Sequence, residues 1–285
     1  MMKKITGLLC ACMLLSFSAT AAKGLAFIHG TGNQTDAYND YWTGSFVNSV
    51  RQGLPNSNNY TVINCDFDQY MWDSRASGCL ATQLTAFIND KNITDLVLLT
   101  HSNGGNVVRW IMSNPTWDAR YPNIINRVSK TIALAPSSLG TPLADAVNQG
   151  NVFEATLGWL LGYGSNAVKQ QQTSWMAYYN QNWLNGTAGR PALPSTFKAL
   201  VGSDVDSAFW DSDSYCAGYQ YQVALETTQN WLDACSDGFL NCSSQSGAGT
   251  VWFTDKQRTR GKEPLSHQQS RRGCFNTDVI IRNDI

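Results

Sequence analysis

Apolar residues fall along this chain in two alternating rhythms. Leu96, Val97, Leu98 and Leu99 form an unbroken apolar run, the pattern of a strand buried on both faces of a sheet. Shortly after it, Val107, Val108, Ile111 and Met112 recur at helical spacing. Between the two lies Thr100-His101-Ser102-Asn103-Gly104-Gly105. The same succession of strand and helix runs through the rest of the chain. Residues 24–30, GLAFIHG, read as a short buried strand entering the glycine-rich stretch HGTGNQ. Trp42, Phe46, Val50 and Leu54 recur every four residues and predict a helix that stops near Pro55. Residues 60–66 are rich in β-branched side chains and predict a strand. Leu80, Leu84, Phe87 and Ile88 share one helical face over 77–89. Further strands are expected over 128–135, 197–202 and 250–254, with a helix over 223–234. This alternation predicts an α/β fold: a mostly parallel central sheet with helices on both faces.

Residues 143–194 break the rhythm. Leu157, Trp159, Leu160, Leu161 and Tyr163 form an apolar patch interrupted by glycines. An insertion between two core strands sits at the C-terminal edge of a parallel sheet, so this stretch predicts a helical cap over the site. Ordinary core helices would give the same pattern. Residues 203–214, SDVDSAFWDSDS, carry alternating aspartates like a calcium loop. They lack the glycine and terminal glutamate of an EF-hand, and are expected to be a solvated loop.

The first 21 residues read as a secretory signal peptide. Lys3 and Lys4 precede an apolar run to Phe17, followed by Ala19-Thr20-Ala21 as a cleavage site. The apolar run is too short for a good transmembrane helix. It continues past Cys12, against lipidation there. The mature protein, 22–285, is expected as a single domain, secreted or periplasmic, without stable membrane insertion. Removing Lys3 and Lys4 from 20 basic residues leaves 18 against 21 acidic ones, a net charge of −3, which gives no footprint for nucleic acid. Cys10 and Cys12 leave with the signal. The remaining Cys65, Cys79, Cys216, Cys235, Cys242 and Cys274 are an even set in an exported chain, the pattern of three disulfides. Proximity pairs Cys65 with Cys79 and leaves the other four to pin the C-terminal third. No C-x-x-C pair exists and histidines number three, so no metal site is expected.

Strand, sharp turn with a serine at its apex, then helix, is the geometry of a nucleophile elbow. It lifts the Ser102 hydroxyl off a rigid sheet and leaves free helix N-terminal N–H groups beside it. Thr100 stands where the G-x-S-x-G pattern has its first glycine. A serine needs a base, and only His29, His101 and His267 are available. His101 is adjacent to Ser102, and consecutive side chains leave the backbone in different directions. His29 ends the first strand, where it would brace a loop. His267 remains as the base. A carboxylate must fix its tautomer. Asp204 and Asp206, after the strand at 197–202, compete for that role with Asp237.

The pieces His29-Gly30-Thr31-Gly32, Thr100 to Gly105, Ala135-Pro136 to Asp145, Asp237-Gly238 with Cys242-Ser243-Ser244, and the late His267 together resemble the α/β-hydrolase family, and within it the secreted bacterial lipases. The resemblance spans the mature chain as scattered motifs. It implies the α/β-hydrolase fold, favours Asp237 over Asp204, and implies an oxyanion hole from the N–H groups of Thr31 and Asn103. The function it implies is cleavage of a carboxylic ester, small or lipid-like, through Ser102, His267 and Asp237, with no cofactor. Amidase, peptidase or acyl-transfer activity would use the same triad. A secreted binding protein with an idle serine is the non-catalytic alternative.

Overall fold

In the computed structural model, which describes residues 21–148, 164–255 and 263–285, six strands form one sheet. They are β1 (Lys23–Ile28), β2 (Tyr60–Val62), β3 (Asp95–His101), β4 (Val128–Leu134), β5 (Phe197–Val201) and β6 (Thr250–Thr254). Their order is β2-β1-β3-β4-β5-β6, and every neighbouring pair is parallel. The signal segment and the apolar patch from Leu157 to Tyr163 lie outside the described residues.

The sheet is covered on both faces. Side chains alternate across a strand, so Leu96 and Leu98 of β3 join Ala26 and Ile28 of β1 on one face. There they pack on α2 (Cys79–Lys91), α3 (Gly104–Ser113) and α4 (Tyr121–Ile125). Val97, Leu99, Leu25 and Phe27 point the other way, onto α1 (Gly44–Val50) and the C-terminal helix α10 (Thr277–Arg282). Between β4 and β5 come α5 (Pro142–Asn148), α6 (Asn166–Gln170) and α7 (Thr173–Asn182); α8 (Tyr219–Gln229) and α9 (Cys242–Gln245) lie between β5 and β6. The expected strand over 60–66 is only Tyr60–Val62. Beyond it Asn64 and Cys65 turn into contacts with Gln83 and His29 rather than continuing along β1. The expected helix over 223–234 begins at Tyr219 and ends at Gln229, because the chain must turn there into the loop closed by Cys235 and Cys242.

The sequence leaves β1 toward β2 on one side and returns to β3 on the other. That reversal opens a crevice at the C-terminal ends of β1 and β3, where open parallel sheets bind ligands. Two tight connections meet there. After β3, Ser102 takes a left-handed backbone, φ 52°, with its N–H donating to Leu134 O at 3.0 Å. A non-glycine residue pays for this conformation with about 1 kcal/mol. Gly104 begins α3 against the end of β1: a Cβ at Gly104 would lie 2.1 Å from His29 O. Gly105 follows in the same turn, where a Cβ would come to 3.2 Å from Pro136 Cβ.

After β1, His29 ties its loop to the loop following β2. Its Nδ1–H donates to Gly30 O at 2.7 Å, Nε2 accepts from Cys65 N–H at 3.3 Å, and its ring stacks on Phe67 with centroids 4.2 Å apart. Cys65 is bonded to Cys79 at the start of α2. Burial lowers the His29 pKa to about 4.

Replacing Ser102 by glycine should relieve the left-handed strain. Ser102→Gly is expected to melt about 2–4 °C above Ser102→Ala by calorimetry; equal midpoints would show that the elbow stores no strain. Gly104→Ala should cost about 2–4 kcal/mol in guanidinium unfolding, since its Cβ meets backbone rather than a movable side chain. The depressed His29 pKa also sets a pH dependence. The unfolded histidine binds a proton that the folded one refuses, so its contribution is complete above pH about 6.5 and is lost as pH falls towards about 4, by about 3 kcal/mol. Urea titrations of His29→Gln should show a shallower loss of stability across that window than the parent chain; an unchanged slope would refute the assignment.

Candidate active site

Ser102 and His267 line one cavity at the crevice, together with Thr31, His101 and Arg271. The cavity is small, about 60 Å³. Both Ser102 and His267 are almost wholly buried, each 4% exposed. Among the described residues no hydrogen bond joins the Ser102 hydroxyl to His267. Such bonds tighten when substrate is in place, so shared access to the cavity is the relevant geometry.

His267 is held by Asp237. Its Nδ1–H donates to Asp237 Oδ2 at 2.8 Å, and its backbone N–H donates to Asp237 O at 2.9 Å. This bond fixes the tautomer and leaves Nε2 as the unprotonated nitrogen. The Phe239 ring stacks on the imidazole, with centroids 4.6 Å apart. Asp237 is completely buried, and its other oxygen, Oδ1, accepts from Phe239 N–H at 2.9 Å and Leu240 N–H at 2.7 Å. The loop that aims it is closed by the Cys235–Cys242 disulfide and a Ser236–Asn241 bridge. Gly238 adopts φ 84°, and a Cβ there would lie 2.6 Å from Leu225 Cβ. Asp204 and Asp206 are engaged elsewhere. Asp204 accepts from Val205 N–H and Gln229, and Asp206 from Ala208 N–H and Ser214. Asp211 likewise accepts from Asp213 N–H, so these aspartates shape the turns of the 203–214 loop.

The N–H groups of Thr31 and Asn103 make no hydrogen bond to a described residue. They belong to the loop after β1 and the start of α3, on the two walls of the crevice. Gly30 keeps those walls together: a Cβ there would lie 3.0 Å from Ser102 Cβ and 2.4 Å from Tyr41 Oη. Helix α6 and the residue after it support the same pair. Gln170 Nε2 donates to Asn103 Oδ1 at 3.0 Å, and Gln171 Nε2 donates to Thr31 Oγ1 at 3.1 Å.

Two further groups are invisible to motif reading. His101 Nε2–H donates to His267 O at 3.0 Å, and its Nδ1 accepts from Tyr41 Oη at 2.5 Å. Both ring nitrogens are therefore occupied, and burial, reinforced by His267 and Arg271, holds His101 neutral with its pKa far below the usual value. It positions the backbone of His267. Arg271 lies over the Tyr41 ring, 4.0 Å from its centroid. Only the offset of four residues from His267, one turn of helix, hinted at its place beside the base.

The other two disulfides are Cys65–Cys79, as proximity suggested, and Cys216–Cys274, which with Cys235–Cys242 fastens the C-terminal third as expected. Among the described residues no helix is long and apolar enough to cross a membrane.

No family model matches the sequence, and no curated protein sequence matches it. Solved structures do. The mature form of Bacillus licheniformis lipase BlEst2 superposes with a TM-score of 0.64 at 18% identity, covering 92% of this chain and 91% of that one. EstA from Clostridium botulinum gives 0.57 at 12% identity over 92% and 86%, and lipase 1 from Pelosinus fermentans gives 0.53 at 15% over 87% and 90%. With the six-stranded parallel sheet, the helices on both faces and the serine turn after β3, these likenesses establish that the chain has the α/β-hydrolase fold.

Proposed function

We propose that this protein is an exported serine hydrolase that cleaves carboxylic esters, with Ser102 as nucleophile, His267 as general base and acid, and Asp237 as the residue that orients His267. One observation carries the reading: an oriented imidazole, its Nε2 without a described partner, shares a small cavity with the strained serine of a strand–turn–helix elbow. The α/β-hydrolase fold shared with proteins named as lipases and an esterase adds analogy, which is a weaker warrant than the site itself.

Ser102 Oγ attacks the ester carbonyl carbon while its proton passes to His267 Nε2. The imidazolium is stabilised by the Asp237 carboxylate, which stays ionised. Charge developing on the carbonyl oxygen is met by the N–H groups of Asn103 and Thr31, which have no competing partner among the described residues. As the tetrahedral species collapses, the C–O bond to the alcohol breaks and His267 returns the proton to the leaving oxygen. Water, deprotonated by the same Nε2, then attacks the acyl-serine and releases the acid. Every proton taken is given back, and no cofactor enters the scheme. The insertion over 143–194 serves as the cap, through Gln170 and Gln171 on the oxyanion side. Three disulfides support an oxidising destination, secreted or periplasmic.

Ser102→Ala and His267→Ala should each lower kcat/KM on a p-nitrophenyl ester by about 10³-fold or more. A fluorophosphonate should label the parent chain at Ser102 and leave Ser102→Ala unlabelled by mass spectrometry. Near-parental turnover in Ser102→Ala would end the proposal, and absence of label with no turnover would favour a binding protein. Asp237→Asn should reduce kcat by about 10³–10⁴-fold, while Asp204→Asn should change it less than about threefold at unchanged circular dichroism. The reverse ranking would move the acid to Asp204.

A further inference from the structure

Within the cavity that holds Ser102, one charge has no counterpart. Arg271 is 5% exposed, yet it makes no ion pair with any described carboxylate. Its Nε donates to Gln268 Oε1 at 2.8 Å, but Nη1 is sealed from solvent without any hydrogen-bond partner, and Nη2 makes no hydrogen bond to a described residue. A buried guanidinium left this way is costly. The Tyr41 ring face at 4.0 Å offsets part of that cost but supplies no negative charge. Arg272 follows, partly buried, with its Nη1 also unpartnered, so the neighbourhood is doubly cationic. Burial lowers the Arg271 pKa only to about 10, which leaves it charged at neutral pH.

We propose that Arg271 is an anion subsite of the catalytic cavity, and that it receives a carboxylate carried by the substrate a few bonds from the scissile ester. This deepens the hydrolase reading above and rests on it. Three features set the ligand class. The group must be anionic, because no described carboxylate pairs with the guanidinium and Asp237 is spent on His267. It must be a small planar acceptor, because the guanidinium lining the cavity has an Nη2 without a described partner, and a carboxylate oxygen matches such a donor. Its spacer must be short, because about 60 Å³ holds roughly four water-sized groups. His267 and Arg271, four residues apart, flank the same space from one segment, so the ester and the carboxylate would be held by the same short stretch of chain. The substrate so defined is a monoester of a short dicarboxylic acid, or an ester whose alcohol bears a nearby carboxylate.

Monomethyl succinate and its uncharged isostere methyl levulinate, followed by proton release in a pH-stat, test this. The parent chain should prefer the anionic ester by about tenfold or more in kcat/KM. Arg271→Met should reduce the ratio of the two kcat/KM values by about 30-fold or more, with Arg271→Lys intermediate because a point charge lacks the fork. Should Arg271→Met fail to fold, inhibition of the parent chain decides: free succinate should compete with methyl levulinate, and succinamide should not. A parent chain that cleaves methyl levulinate with no preference for the anion, or a ratio unchanged by Arg271→Met, would overturn the subsite and leave the hydrolase intact. Competition by inorganic phosphate but not by succinate would overturn the carboxylate assignment. Cleavage of neither ester, with no fluorophosphonate label at Ser102, would overturn the hydrolase reading and the subsite with it.

Discussion

The close approach of two backbones governs the rest of this molecule. Where α3 begins, the Cα of Gly104 sits against the carbonyl of His29, and a single methyl group could not fit between them. That contact brings the loop after β1 and the turn after β3 together at the one crevice the strand order opens. It sets the Thr31 N–H on one wall and Ser102 with the Asn103 N–H on the other. It also explains why Ser102 holds a left-handed backbone: the chain must reverse within a few residues, and the sheet on one side and the helix on the other leave no gentler path. Strain here is stored by the surrounding packing, in keeping with the general habit of functional turns.

The second half of the site comes from a part of the chain built by different means. Beyond β5 the chain has few long elements, and among the described residues β6 is its only strand. Its order depends on covalent and polar ties. Cys235–Cys242 closes the Asp237 loop, Cys216–Cys274 fastens the chain beyond His267, and the buried Asp255 carboxylate accepts from Ser203 N–H and Leu265 N–H. Gly202 adds a close contact, with room for no Cβ against Leu265 O. His267 and Asp237 are therefore joined twice, by side chain and by backbone, independently of Ser102. A rigid sheet carries Ser102, while a cross-linked loop system carries His267, and the cavity is their seam.

How far this was legible in the sequence follows from what each signal measures. β3 and its elbow were legible because a fully buried strand has to be uniformly apolar and a sharp reversal requires glycine. The parallel sheet with helices on both faces followed from the alternation of elements, and the pairing of the cysteines from their even count; the strand order left no mark in the sequence. Asp237 was separable from Asp204 only through resemblance to a family, since both lie between Ser102 and His267 in chain order. The end of β2 was misjudged because β-branched residues favour extended backbone whether or not a partner strand continues beside them. The helix at Tyr219–Gln229 was placed four or five residues late because periodicity fixes a face better than an end. Tyr41, His101 and Arg271 contribute to the site through contacts across 60 residues or more, or through the absence of a partner, and neither leaves a trace in a linear pattern.

Those unforeseen residues bear on the proton chemistry. Three imidazoles lie within or next to the crevice, yet their roles cannot be exchanged. His29 spends both ring nitrogens on the backbone of Gly30 and Cys65; His101 spends both on Tyr41 and the carbonyl of His267. Each is buried and neutral, and Arg271 adds to the pressure against protonation of both. Among the three, His267 alone keeps a ring nitrogen without a described partner and has a carboxylate behind the other. Selectivity among the three histidines thus comes from the distribution of hydrogen bonds around them: two spend both nitrogens on holding loops together, and the third is held by one side only.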